Sequence, residues 1–299
     1  MQNTPDISQW LFPVIMGLIG VFFLLATINS KSPSFRYSVA IRWLRWVLIA
    51  LTVGHIFQAL ELTERPVGVV ITTTFLIWFI LETGYNWLAI GMLSHSEIPL
   101  FPKFYKNTEG YRWPNDKASI KLRNTIRELK LHPLKDLKAD LHELVHIHSS
   151  IHQDTDNKIR LQILFLPQRT NTLSACFILS SQTKSGELYI TDNVFLPFGG
   201  YYPKNWHVLR RPWIRSLKSL IRLHQSRTQE AAEELVSWGD NPLEDINHQQ
   251  QKLRQENLER GFLHPLHYRE EYGKLTREGR YRVWVELWLL SYLGVSFRY

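Results

Sequence analysis

Three long, mostly apolar stretches near the N-terminus constrain this chain more than any other feature. They run from Trp10 to Ile28, from Ile41 to about Leu60, and from Val67 to about Leu93. A helix needs roughly 20 apolar residues to cross the ~30 Å hydrocarbon core of a bilayer, and each stretch supplies about that many. The rest of the chain reads as polar and water-facing, so the mean hydropathy of −0.19 over 299 residues averages two regimes. The first stretch is expected to be a retained span and not a cleaved leader. No Lys or Arg stands in residues 1–9, and no small-residue cleavage site follows Ile28.

Loop charge sets the expected orientation. Lys31, Arg36, Arg42 and Arg45 flank the first loop. The second loop, Glu61 to Pro66, carries two acids and one Arg. Lys103, Lys106, Arg112, Lys117 and Lys121 follow the third stretch. Basic residues stay on the cytoplasmic side. The expectation is a multi-pass protein of the cell (inner) membrane, N-terminus outside and large domain in the cytoplasm. Trp43, Trp46 and Trp87 suit positions at the membrane interface.

Polar residues inside the spans are His55, Gln58, Glu82 and Asn86. A charge there is costly and asks for a partner. Arg45, from the same side of the membrane, is the expected partner of Glu82. A proton or ion site and a subunit contact are the alternatives.

Beyond residue 95 the pattern predicts a cytoplasmic α+β domain with a small antiparallel sheet, then a helical C-terminal region. The expected division is 1–95 as a three-helix membrane anchor, 96–227 as the α+β domain, and 228–299 as the helical region. Helices are predicted over 117–131 and 134–153. In the second, Leu134, Leu137, Leu141, Leu144, Val145 and Ile151 recur at helical spacing. Strands are predicted over 159–166, 172–181 and 187–191, separated by turn-forming residues. Cys176, the one cysteine, excludes an internal disulfide and reads as a buried thiol. Later helices are predicted over 243–260, with Gly261 as its stop, and over 276–293.

A basic amphipathic helix is predicted from Trp213 to His224. Trp213, Ile214, Leu217, Leu220 and Ile221 share one face, with Arg211, Arg215, Lys218 and Arg222 on the opposite flank. No acid occurs between Asp192 and Glu230. Such a helix suits the anionic inner-leaflet lipid surface. The alternative is that its apolar face packs on the domain's own sheet. Nucleic acid is not an expected partner, because no binding module accompanies the charge.

One motif looks catalytic. His142-Glu143-Leu144-Val145-His146 fits H-E-x-x-H, in which two histidines one helical turn apart bind zinc and the glutamate polarises a water. His152 follows where a third ligand would fall, so over eleven residues the stretch resembles the metzincin peptidases. The resemblance implies zinc held by His142, His146 and His152, with Glu143 as base. Ser149 stands in place of that family's glycine, and no methionine follows the motif. The ordinary reading of the same residues is a histidine-rich helix packed on the sheet. The leading functional expectation is a non-enzymatic interaction or regulatory module with no cofactor. It would be held at the membrane through lipid and an unidentified protein partner, or as a homo-oligomer. The alternative is a membrane-bound zinc hydrolase.

Overall fold

The computed structural model describes residues 7–31, 35–96, 98–108, 113, 116–142, 145–167, 173–231, 233–265, 267, 271–297 and 299. The chain divides into two compact units. One comprises Met1–Met92 with Leu287–Gly294, and the other Leu93–Glu286 with Val295–Tyr299.

The helical unit contains α1 (Ile7–Lys31), α2 (Phe35–Ala59) and α3 (Val67–Ser94). All three are long and apolar enough to cross a membrane, at 21, 24 and 28 residues over their candidate spans. Large apolar side chains such as Phe23, Ile80, Leu88 and Met92 are exposed on them. That is the pattern of a helix whose outer surface meets lipid, because hydrocarbon imposes no penalty on apolar side chains. α2 and α3 are in close contact at a glycine of α2: a Cβ on Gly54 would run into Ile71 of α3. Trp46 is fully buried among Phe75, Phe79 and Tyr292, with ring centroids 5.7, 5.5 and 5.0 Å away.

The second unit is α+β. Its strands are β1 (Phe104–Lys106), β2 (His132–His142), β3 (Val145–Gln153), β4 (Arg160–Pro167), β5 (Leu173–Thr183), β6 (Leu188–Asp192), β7 (Trp206–Arg210) and β8 (Leu235–Val236). They form one sheet in the order β1-β2-β3-β4-β5-β6-β7, with β8 added to the end of β5. Neighbours are antiparallel except β6 and β7, which are parallel and joined by a crossover through Pro197–Pro203. The predicted strands over 159–166, 172–181 and 187–191 correspond to β4, β5 and β6.

Helices cover both faces. α4 (Lys117–Glu128) and α5 (Leu217–Glu230) lie over β4 and β5, where Ile126, Leu217, Leu220 and Ile221 pack on Leu161, Ile163, Phe165, Phe177 and Leu179. α6 (Pro242–Glu259) lies on the other face, with Ile246 against Leu137, Ala139 and Ile151, and Leu253 against Leu188, Trp206 and Val208. Cys176 is buried in β5, and burial, assisted by the nearby Asp192 charge, pushes its thiol up to about 12. α6 ends at Gly261 (φ +74°), the predicted stop. α7 (Arg277–Trp288) continues into a π-helical turn, Leu289–Leu293, closed by Gly294 at φ +71°.

The predicted helix over 134–153 is corrected: those residues form most of the β2–β3 hairpin. Both periods can be read in them, because the leucines recur at helical spacing while the sequence also alternates. His146, His148, Ser150 and His152 interleave with Ile147, Ser149 and Ile151, and Asp136, Lys138 and Asp140 with Leu137 and Ala139. The pairing of β3 with β4, from His148↔Phe165 to Gln153↔Arg160, decides for period two. Only a strand can supply backbone partners to the β4 edge.

Candidate functional site

In the helical unit the predicted Arg45–Glu82 pair is present, and it is the centre of a larger node. Arg45 Nη2 donates to both Glu82 carboxylate oxygens at 2.8 Å. Trp46 Nε1 donates to Oε2 at 2.6 Å and Trp78 Nε1 to the same oxygen at 3.2 Å. The Tyr292 hydroxyl donates to Oε1 at 3.1 Å and accepts from Asn86 Nδ2 at 3.2 Å. The Tyr292 carbonyl accepts from Trp43 Nε1 at 2.7 Å. Tyr292 itself is 1% exposed, so the C-terminal π-turn is an integral part of this unit. Two indoles, a guanidinium and a phenol satisfy the carboxylate, as a charge removed from water requires. His55 lies apart from the node, its ring 6.0 Å from that of Phe12. Sequence reading found Arg45 and missed Trp46, Trp78 and Tyr292. Trp78 stands one turn before Glu82, which was a usable signal; Tyr292 lies on an aromatic face of the last helix that needed cover, but its partner was not legible.

The H-E-x-x-H stretch sits at the tip of the β2–β3 hairpin. His142 ends β2 and His146 is near the start of β3, while Glu143 lies outside the described residues. The helical turn that would stack His142 over His146 is therefore absent. His146 Nδ1 meets Asp140 Oδ1 of β2 at 2.7 Å, an exposed pair. His152 is six residues further along the same strand. At ~3.3 Å per residue that is about 20 Å away, too far to share one ion with His146 when zinc–nitrogen bonds are about 2 Å. His152 is buried, its Nε2 3.1 Å from Ser150 Oγ and its ring edge-on to Trp113. Burial pushes its pKa down to about 4, against a smaller upward pull from Asp136. Among the described residues, no group of three or more His, Cys, Asp or Glu side chains is placed to hold a metal.

The predicted basic helix begins later and ends later than expected. Pro212 and the cap at Ser216, whose side chain accepts from Ser219 N, place its start at Leu217. Arg211 and Arg215 thus precede it, and Lys218 and Arg222 lie on its exposed side. Its apolar face is used up in the core: Leu217, Leu220 and Ile221 are 3%, 0% and 7% exposed. A helix immersed in lipid through those residues is excluded by that packing. His224, one turn on, is fully buried between Ser181 Oγ at 3.0 Å and Thr191 Oγ1 at 2.9 Å. Burial, reinforced by Arg227, pushes it down to about 3.

A buried charged cluster went unseen in the sequence. Arg210 of β7 donates from Nε to Asp192 of β6 at 3.1 Å, from Nη2 to Tyr202 Oη at 3.2 Å, and lies 3.5 Å from Glu286 of α7. Glu286 accepts the backbone N–H of Phe198 at 2.5 Å and that of Gly199, and the Ser296 hydroxyl at 2.7 Å. Gly199 is at φ +68° and packs against the backbone of Arg282 and Val283, so no larger residue fits the turn. Burial pulls the Arg210 pKa down, but Asp192 foremost, then Tyr202, Tyr299 and Glu286, hold it above the usual arginine value. The crossover between the parallel strands is thereby pinned to α7. Compared with protein-family models, with curated proteins and with solved structures, the chain matches none.

Proposed function

We propose that this protein is a membrane-anchored interaction module, its three spans holding the α+β unit at the cytoplasmic face of the cell membrane, where it acts by binding and not by catalysis. The observation that carries the reading is the pairing of three span-length apolar helices with a basic, separately cored α+β unit in one chain. Loop charge favours the cytoplasmic side for that unit. Its buried ionisable groups have partners inside the fold: His224 with Ser181 and Thr191, and Arg210 with Asp192 and Glu286. What remains for a partner is the surface. The partner classes in keeping with this are anionic lipid, another protein, or a second copy of the chain.

The test is topology. Reporter fusions at Ser94 and Tyr299 are expected to give a cytoplasmic signal, and one at Glu64 an exterior signal. An exterior signal at Tyr299 overturns the orientation. A metal-dependent hydrolytic activity of the purified full chain that His142→Ala abolishes overturns the non-catalytic reading.

A further inference from the structure

We infer that the outer surface of the α4–α5 layer docks flat on an anionic lipid surface by charge alone, with α4 contributing as much as α5. This rests on the reading of the α+β unit as membrane-tethered.

Both helices lie on one face of the sheet and share a core through Ile126, Leu217, Leu220 and Ile221. Their outward sides are basic. α4 exposes Lys117, Lys121 and Arg127; Lys218 and Arg222 of α5 and the preceding Arg215 are exposed beside them. The acids nearby are engaged within the fold. Asp116 caps α4 by accepting from Ser119 N at 2.7 Å. Glu128 accepts from Lys218 at 2.6 Å, and Asp154 accepts from the backbone of Lys158 and Ile159. Six cations against those three carboxylates leave the layer with a net positive charge.

Two observations commit this surface to lipid. It is formed by two adjacent helices that both expose basic side chains, which complements an array of anionic headgroups. A chain with three spans also always has a bilayer at hand. Because the apolar stripe of α5 is buried in the core, the contact is peripheral. Each basic side chain near an anionic surface is worth about a fivefold preference, felt only within a Debye length of ~8–10 Å at physiological salt. The attachment is therefore salt-sensitive, unlike that of an inserted amphipathic helix.

The experiment uses the full chain in nanodiscs of neutral phosphatidylcholine, or of the same lipid with one third phosphatidylglycerol. Lysines are modified with a brief pulse of an amine reagent and quantified by mass spectrometry. Lys117, Lys121 and Lys218 are expected to react at least about fivefold more slowly in the anionic discs, and to recover in high salt. Lys252, on α6 across the sheet, serves as the internal control and is expected to react equally in both. The triple variant Lys121→Glu, Arg127→Glu, Arg222→Glu is expected to abolish protection of Lys117 and Lys218 while Lys252 and the thermal melt stay unchanged. Equal reactivity of the three lysines in neutral and anionic discs overturns the inference. So does protection present in both lipids and resistant to salt, which would mark a contact between protein surfaces. Either failure leaves the topology reporters unaffected, so the docking and the anchoring stand or fall separately.

Discussion

The Tyr292 hydroxyl donates to Glu82 Oε1 at 3.1 Å across 210 positions of sequence. A residue seven from the C-terminus thus completes the polar shell of a carboxylate in the third apolar helix. Glu82 also takes Arg45 and two indoles, so α2, α3 and the π-turn meet on one acid.

Glu82→Gln is expected to destabilise the detergent-solubilised protein by about 3 kcal/mol, since it leaves the Arg45 charge without its counter-ion. Half-exposure of Arg45 keeps the loss at the low end. Adding Arg45→Gln should restore part of it, and Tyr292→Phe alone should cost about 1 kcal/mol. Thermal unfolding followed by tryptophan fluorescence reads all three. Equal melting of Glu82→Gln and the native protein would show that the shell contributes nothing to stability.

Arg210→Met should be among the most damaging substitutions in the α+β unit. It leaves Asp192 and Glu286 buried without their shared cation, at a cost of about 3–5 kcal/mol. The Phe198–Gly199 turn should loosen with it, because its backbone donors rest on Glu286. Limited proteolysis is expected to cut near Phe198 in the variant and not in the native chain. A native-like digestion pattern and melt would count against the cluster as a fold determinant.

Acid should weaken the α+β unit from about pH 6.5 downward. His152 and His224 are held neutral in the folded state, with pKa values near 4 and near 3, whereas unfolded histidine protonates near 6.5. Between those limits the unfolded chain binds more protons, so stability falls as pH falls. Each histidine contributes a slope of up to about 1.4 kcal/mol per pH unit, and the loss is complete only below its folded pKa. Denaturant midpoints measured from pH 7.5 to pH 4.5 should show this fall. His224→Gln, which keeps hydrogen-bonding capacity toward Ser181 and Thr191, should flatten the slope; an unchanged slope would exclude His224 as a source.

Elements whose signal is local were legible in the residues alone. Twenty apolar residues in a row are a span wherever they occur. β4, β5 and β6 are apolar or β-branched runs between turn formers, and α4, α6 and α7 fall within segments of helix-forming composition. The Arg45–Glu82 pair was legible too, because a charge inside an apolar helix demands a partner from a short list. Tertiary structure decided whatever depended on a distant neighbour. Residues 134–153 satisfy both the helical and the strand period, and the open edge of β4 chose between them, which removed the helical turn that an H-E-x-x-H zinc site requires. The apolar stripe of α5 could have faced lipid or sheet, and burial against Leu161, Ile163 and Leu179 took it inward. Tyr292, Asp192, Arg210 and Glu286 look unremarkable in sequence, for their roles come from hydrogen bonds and charges that meet only when remote strands and helices are brought together. Periodicity reports which way a side chain faces; what it faces is settled by packing.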